Sequence, residues 1–229
     1  MYGYYWSYFS YLLPGLILAF IAQIKISSAY EKNSRINSGT SYRGADVARI
    51  IMDRHGLYNV EIRSIPGKMT DHYNPSNKTL NLSDDVYNGN SIAALSIAAH
   101  EVGHALQDQT DYSPLRFRTM LVPAANLGSN MSMVFILIGI IFSSFFVKIG
   151  IALFSMAVLF QIVTLPVEFN ASSRALRELS DGIMPQDRIK GAKQVLSAAA
   201  LTYVASTLMA IGQLLRLLAI FGGGRDDRD

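Results

Sequence analysis

The sequence predicts a mainly α membrane protein, with about four transmembrane helices and a small α+β region that carries a short antiparallel sheet. Three observations point there. Of the 229 residues, 50% are hydrophobic and only 16% are charged, against about 25% charged in an average soluble domain. Nearly uncharged stretches of spanning length, about 20 residues, recur along the chain. Between the first and the next lies a polar region, residues 26–120, that mixes helical and alternating hydrophobic periods. The composition also excludes several classes. With no cysteine there is no disulfide framework, no Cys-ligated metal and no thiol nucleophile. A net charge of +3 with scattered Lys and Arg is too small for a nucleic-acid surface.

The first span falls within residues 1–25, since Tyr4 to Ile24 is uncharged and Lys25 ends it. It lacks a basic start and an A-x-A site, so it reads as a retained helix and not as a cleaved signal. Trp6 and the tyrosines at 2–12 suit interface anchors. Ser27–Ser41, rich in Ser, Asn and Gly, reads as a linker. Gly44–His55 places Val47, Ile50 and Ile51 at helical spacing, and Gly56 stops it. Val60–Ile65 alternates as a strand ended by Pro66-Gly67. Asp71–Lys78 reads as a turn, and Thr79–Ser83 as a second strand. Ser91–Gln107 is an Ala-rich helix capped by Ser91. Residues 121–167 hold one charge, Lys148, and divide near Lys148–Gly150 into a transmembrane hairpin. Residues 168–194 form a polar return with a cytoplasmic helix, 195–221 a fourth span, and 222–229 a flexible tail. Lys and Arg concentrate at 25–43, 116–118, 174–177 and 188–193, which places those segments in the cytoplasm and both termini outside.

On the Ala-rich helix lies His100-Glu101-Val102-Gly103-His104, an H-E-x-x-H. Residues i and i+4 share one helix face, so both imidazoles reach a single Zn²⁺, and Glu101 reaches a water beside it as general base. Such a site takes three protein ligands and leaves one position open. The extended motif with a third His is excluded, because Thr110 and Gln107 stand where it needs His and Gly. Asp108 and Asp111 lie too far along the chain to curl back. His72, Glu178 and Asp181 remain alternatives. Glu168 ranks first, because it follows directly on an apolar span on the same expected side as His100, where an ionisable group faces the protein interior.

H-E-x-x-H, two spans and then Glu-x-x-Ala at Glu168–Ala171 resemble the gluzincin membrane proteases, the HtpX-like and CAAX-type enzymes. The runs DHYNPSNKTLNLSDDVY, AAHEVGHALQ, LPVEFNASSRAL and GAKQVLSAAALTYVA are more closely similar to the bacterial neutral zinc metallopeptidases of the YugP-like type, over about Ser41 to Ala205. The resemblance implies a gluzincin-like catalytic region with one zinc, His100, His104 and Glu168 as ligands and Glu101 as base. The HtpX-like pattern continues with an Asp where this chain has Ser172, so Asn170, Ser172 or Asp108 would orient an imidazole instead. In such proteases an edge strand pairs with the substrate, here Thr79–Ser83. For the oxyanion, Arg174 ranks ahead of Arg177, His72 and Tyr73. The expected function is a membrane zinc endopeptidase cutting membrane-associated or misfolded proteins at the cytoplasmic face of the bilayer. A catalytically idle zinc-binding adaptor is the alternative, separated from it by chelator-sensitive cleavage. A transporter is disfavoured, because the spans lack intramembrane Asp or Glu and a repeat.

Overall fold

The computed structural model describes residues 9–222. Trp6, the tyrosines up to position 8 and the tail from residue 223, expected as anchors and as a flexible end, lie outside the described residues. Among the described residues four helices are long and apolar enough to cross a membrane: α1 (Leu13–Ser34), α5 (Ser113–Ile141), α6 (Ser144–Glu178) and α7 (Gln186–Phe221). The chain divides into two compact units, one of residues up to 22, 117–165 and 202 onward, the other of Gln23–Arg116 and Pro166–Leu201.

The first unit is helical and exposes large apolar side chains such as Phe20, Ile141 and Phe142, as helices facing lipid do. Its hairpin closes at Ser143, whose hydroxyl accepts from the Phe145 N–H at 3.3 Å. The break therefore falls five residues before the Lys148–Gly150 expected from charge. Lys148 is exposed on α6, where its long stem carries the ammonium outward without ending the helix. Small residues set the helix spacing, as in many membrane bundles. A Cβ on Gly128 would lie 2.2 Å from the Leu153 carbonyl oxygen.

The second unit holds the rest: α2 (Gly44–Arg54), β1 (Glu61–Ile65), β2 (His72–Asn74), β3 (Thr79–Ser83), the single turn α3 (Asp84–Tyr87) and α4 (Ile92–Gln109). α2 ends where expected, with Gly56 at φ +74°, a conformation glycine adopts without strain. α4 starts at Ser91, whose hydroxyl accepts from the Ala94 N–H at 3.1 Å. Other expectations need correction. Residues 27–34 are not linker but the last turns of α1, because Asn33 is buried (1% exposed) with its Oδ1 against Gly191 of α7, so packing overrides local propensity. The sheet is mixed, not antiparallel. Its order is β1-β3-β2, with β1 parallel and β2 antiparallel to β3.

The turn expected over Asp71–Lys78 contains a strand, β2, followed by a bend in which the Asn74 side chain accepts from the Ser76 N–H. β3 is buried along its length and paired on both sides. It is therefore the centre of the sheet, and β2 is an edge. The core gathers Ile51 and Met52 of α2, Leu80 and Leu82 of β3, and Leu95 and Val102 of α4, all without exposure. Each such side chain contributes about 1.5–3 kcal/mol of burial. α6 and α7 join through a wide turn, Leu179–Ile183, with Gly182 at φ +76°.

If backbone contact at Gly128 sets the hairpin spacing, Gly128→Leu costs about 1–3 kcal/mol and lowers the melting temperature of the detergent-solubilised protein by several degrees. An unchanged melting temperature would show that the helices have room there.

Candidate metal centre

α4 presents His100 and His104 one turn apart on one face, their rings 4.8 Å apart at 86°. Onto the same face comes Glu168 from α6. Its Oε2 lies 3.3 Å from His100 Nε2 and 3.7 Å from His104 Nε2. One ligand atom from each of the three lies within 4.8 Å of the others. Zinc bonds of about 2.0–2.2 Å put two donors of one ion roughly 3–4 Å apart, so two imidazoles and a carboxylate in this arrangement fit zinc. Glu168 is 3% exposed, and a carboxylate so buried requires partners.

The approach of the two helices depends on Gly103. A Cβ there would lie 2.6 Å from the Ala171 carbonyl oxygen and 3.1 Å from its Cα. The glycine inside H-E-V-G-H and the alanine of Glu-x-x-Ala are thus the two sides of one contact, and that contact brings Glu168 to the imidazoles.

Both ring nitrogens facing away from Glu168 are held. His100 Nδ1 meets the Ser172 hydroxyl at 3.2 Å. His104 Nδ1 meets Gln107 Oε1 at 3.0 Å. Burial pushes the His104 pKa down, while Glu168 and then Glu101 push it further the other way, so it stands above the usual histidine value. Gln107 is fully buried and donates to the Val167 carbonyl at 2.7 Å and to Asn170 Oδ1 at 3.0 Å. Sequence reasoning passed over Gln107 except as the residue replacing a glycine. The available signal was its position, three residues after His104 and so beside it on the helix.

Glu101 points to the sheet. Its Oε2 accepts from the Tyr73 backbone N–H of β2 at 3.2 Å. The Tyr73 hydroxyl donates to Asp108 at 2.7 Å, and burial followed by that carboxylate pushes the phenol pKa well above its ordinary value. Asp108 also pairs with Lys78 and does not orient an imidazole. The other expected residues lie elsewhere. His72 bonds to the Thr70 carbonyl and to Asn81. Glu178 pairs with His55 at 2.8 Å, and Asp181 with Arg54. Arg174 turns its Nε to Asn170 Oδ1 at 2.8 Å and a terminal nitrogen to Thr110 at 3.3 Å. Its Asn170 partner is the residue whose oxygen also accepts from Gln107.

The chain is similar in sequence to known proteins. A family model described as "Putative neutral zinc metallopeptidase" matches residues 8–222. The chain is 45% identical over 217 residues to the "Putative membrane protease YugP" of Bacillus subtilis (strain 168), covering 94% of this chain and 96% of that protein. No solved structure gives a significant match.

Gly103→Val forces α4 and α6 apart at a cost of about 1–3 kcal/mol and draws Glu168 away from the histidines. Zinc bound per purified chain then drops well below the wild-type value while far-UV circular dichroism keeps its helical signal. Full zinc occupancy in this variant would show that the helix contact does not set the site.

Proposed function

The chain belongs to the neutral zinc metallopeptidase family, and from that premise we propose that it is an integral membrane zinc endopeptidase acting on protein substrates near the cytoplasmic face of the bilayer. The observation that carries the proposal is the convergence of His100, His104 and Glu168 beside a glutamate that touches an edge strand.

His100, His104 and Glu168 would hold zinc, which when bound would supply Lewis acidity and bring the pKa of a water to about 7. The remaining work falls to the chain itself. Glu101 takes the proton of the attacking water and returns it to the departing amine nitrogen. Its Oε2 is held at 3.2 Å by the Tyr73 N–H, which keeps the carboxylate in register with β2. That strand pairs with β3 on one side only. Tyr73 turns its N–H toward Glu101, as alternation along an antiparallel edge allows. An extended substrate adding to β2 therefore brings its backbone alongside the base. Substrate pairing passes from Thr79–Ser83, the strand expected from sequence, to His72–Asn74.

Glu101→Gln is expected to lower peptide cleavage by at least about 100-fold while zinc content stays near one per chain. Glu168→Ala loses the ion as well. Full activity of the Gln variant would remove Glu101 from its role. Zinc binding by the wild type without chelator-sensitive cleavage of any labelled peptide would leave the adaptor reading. Orientation has its own test, because the chain has no native cysteine. A thiol at Lys68→Cys, in the exposed loop after β1, is expected to react with an impermeant maleimide only after cells are opened. Lys148→Cys is expected to react in intact cells. The reverse pattern would invert the topology.

A further inference from the structure

The hydrogen bonds around His104 run in one direction, and the groups at their ends dictate it. A backbone carbonyl only accepts, so the Gln107 atom 2.7 Å from Val167 O is the amide nitrogen. A guanidinium only donates, so the Asn170 atom 2.8 Å from Arg174 Nε is the carbonyl oxygen. With both ends set, the middle has one arrangement. Arg174 Nε and Gln107 Nε2 donate to Asn170 Oδ1, and Gln107 Oε1 is left facing His104 Nδ1 at 3.0 Å. An amide oxygen only accepts, so Nδ1 carries a proton. With Nδ1 so engaged, Nε2 is the ring nitrogen turned toward Glu168, 3.7 Å away. Gln107 is fully buried, so solvent does not compete for these bonds. His100 differs. Its Nδ1 faces the Ser172 hydroxyl, which donates or accepts equally well and imposes no direction.

We propose that Arg174 is a positioning residue that acts through Asn170 and Gln107 to fix the His104 imidazole with Nε2 as its metal-facing nitrogen. This rests on the zinc reading above and deepens it. Without Arg174, the Asn170 oxygen keeps only the Gln107 nitrogen as a donor and its side chain is no longer held from the other side. Gln107 is then anchored firmly by the Val167 carbonyl alone, and the ring it backs is less firmly placed. Groups that orient a ligating histidine in this way typically change metal affinity by about 10- to 100-fold when lost.

The test uses the full chain in detergent with zinc alone as the probe. Affinity is measured by chelator competition, and the zinc-bound protein, labelled with ¹⁵N-histidine, reports which His104 nitrogen takes the metal and which keeps a proton. Arg174→Met and Asn170→Leu are expected to weaken zinc about 10- to 100-fold and to mix the two nitrogen signatures of His104. Asn170→Asp keeps an oxygen for both donors and is expected to retain the wild-type signature and affinity. A wild-type signature in Arg174→Met, or Asn170→Asp as disturbed as Asn170→Leu, would overturn the proposal. If Asn170→Leu does not fold, Arg174→Met and Asn170→Asp decide alone. A wild-type chain that binds no zinc overturns the zinc reading and this one with it, whereas a zinc-binding wild type matched by an unchanged Arg174→Met overturns this one alone.

Discussion

At Gly103 the backbone of α4 comes so near that of α6 that a methyl group would lie 2.6 Å from the Ala171 carbonyl oxygen. The candidate site depends on that approach. His100 and His104 flank the glycine on α4, and Glu168 stands three residues before Ala171 on α6. At ordinary helix separations of 8–10 Å, a carboxylate reaching across would need a longer side chain or a looser cluster. The close contact places its Oε2 3.3 and 3.7 Å from the two imidazoles. A bare motif does not specify this distance. The residue type between the two histidines does, because only glycine leaves room for the facing backbone.

Placing a carboxylate and two imidazoles where little water reaches is costly unless each polar atom finds a partner. The structure meets that cost unevenly. His100 is backed by one adaptable hydroxyl, Ser172. His104 is backed by a buried amide that is itself bonded at both donors, and the next residue in the chain of bonds, Asn170, is held by a guanidinium. The related pattern with an Asp at the position of Ser172 would put a charge beside the first histidine. Here the charge stands further back, on Arg174, and reaches the other histidine through two neutral amides.

The parts of this architecture that were legible in the sequence are those governed by local rules. Apolar length announces the spanning helices, and helical spacing with Gly56 bounds α2. The hydroxyl of Ser91 marks the start of α4, and H-E-x-x-H names its chemistry through i, i+4 geometry. The parts that were not legible depend on partners distant in the chain. Residues 27–34 have the composition of a linker and are helical because Asn33 packs at Gly191. β2 hides in a run with turn composition because three residues suffice for pairing once β3 is beside them. Gln107 carries one local signal, its place one turn after His104, which names no partner beyond that ring. Its importance comes from Val167 and Asn170, some 60 residues away. Arg174 reads from sequence as a candidate for the oxyanion, while its position one turn beyond Asn170 makes that amide its partner.

The mixed sheet has a consequence for how a substrate would be read. Had β1 and β3 formed an antiparallel hairpin, the strand before α4 would lie at an edge. Because β2 folds back on β3 while β1 pairs with its other side, β3 is enclosed, and the edge facing Glu101 is β2, a strand of three residues. An edge that short offers few backbone bonds, which protects against pairing between copies and limits how much affinity a substrate gains from its main chain alone. The Tyr73 N–H is already committed to Glu101, so an incoming chain must share or displace that bond at the point where the base is needed. Under the proposed function, binding along this edge and freeing of the carboxylate would be one event, with the short strand coupling the arrival of a peptide backbone to the group that would act on it.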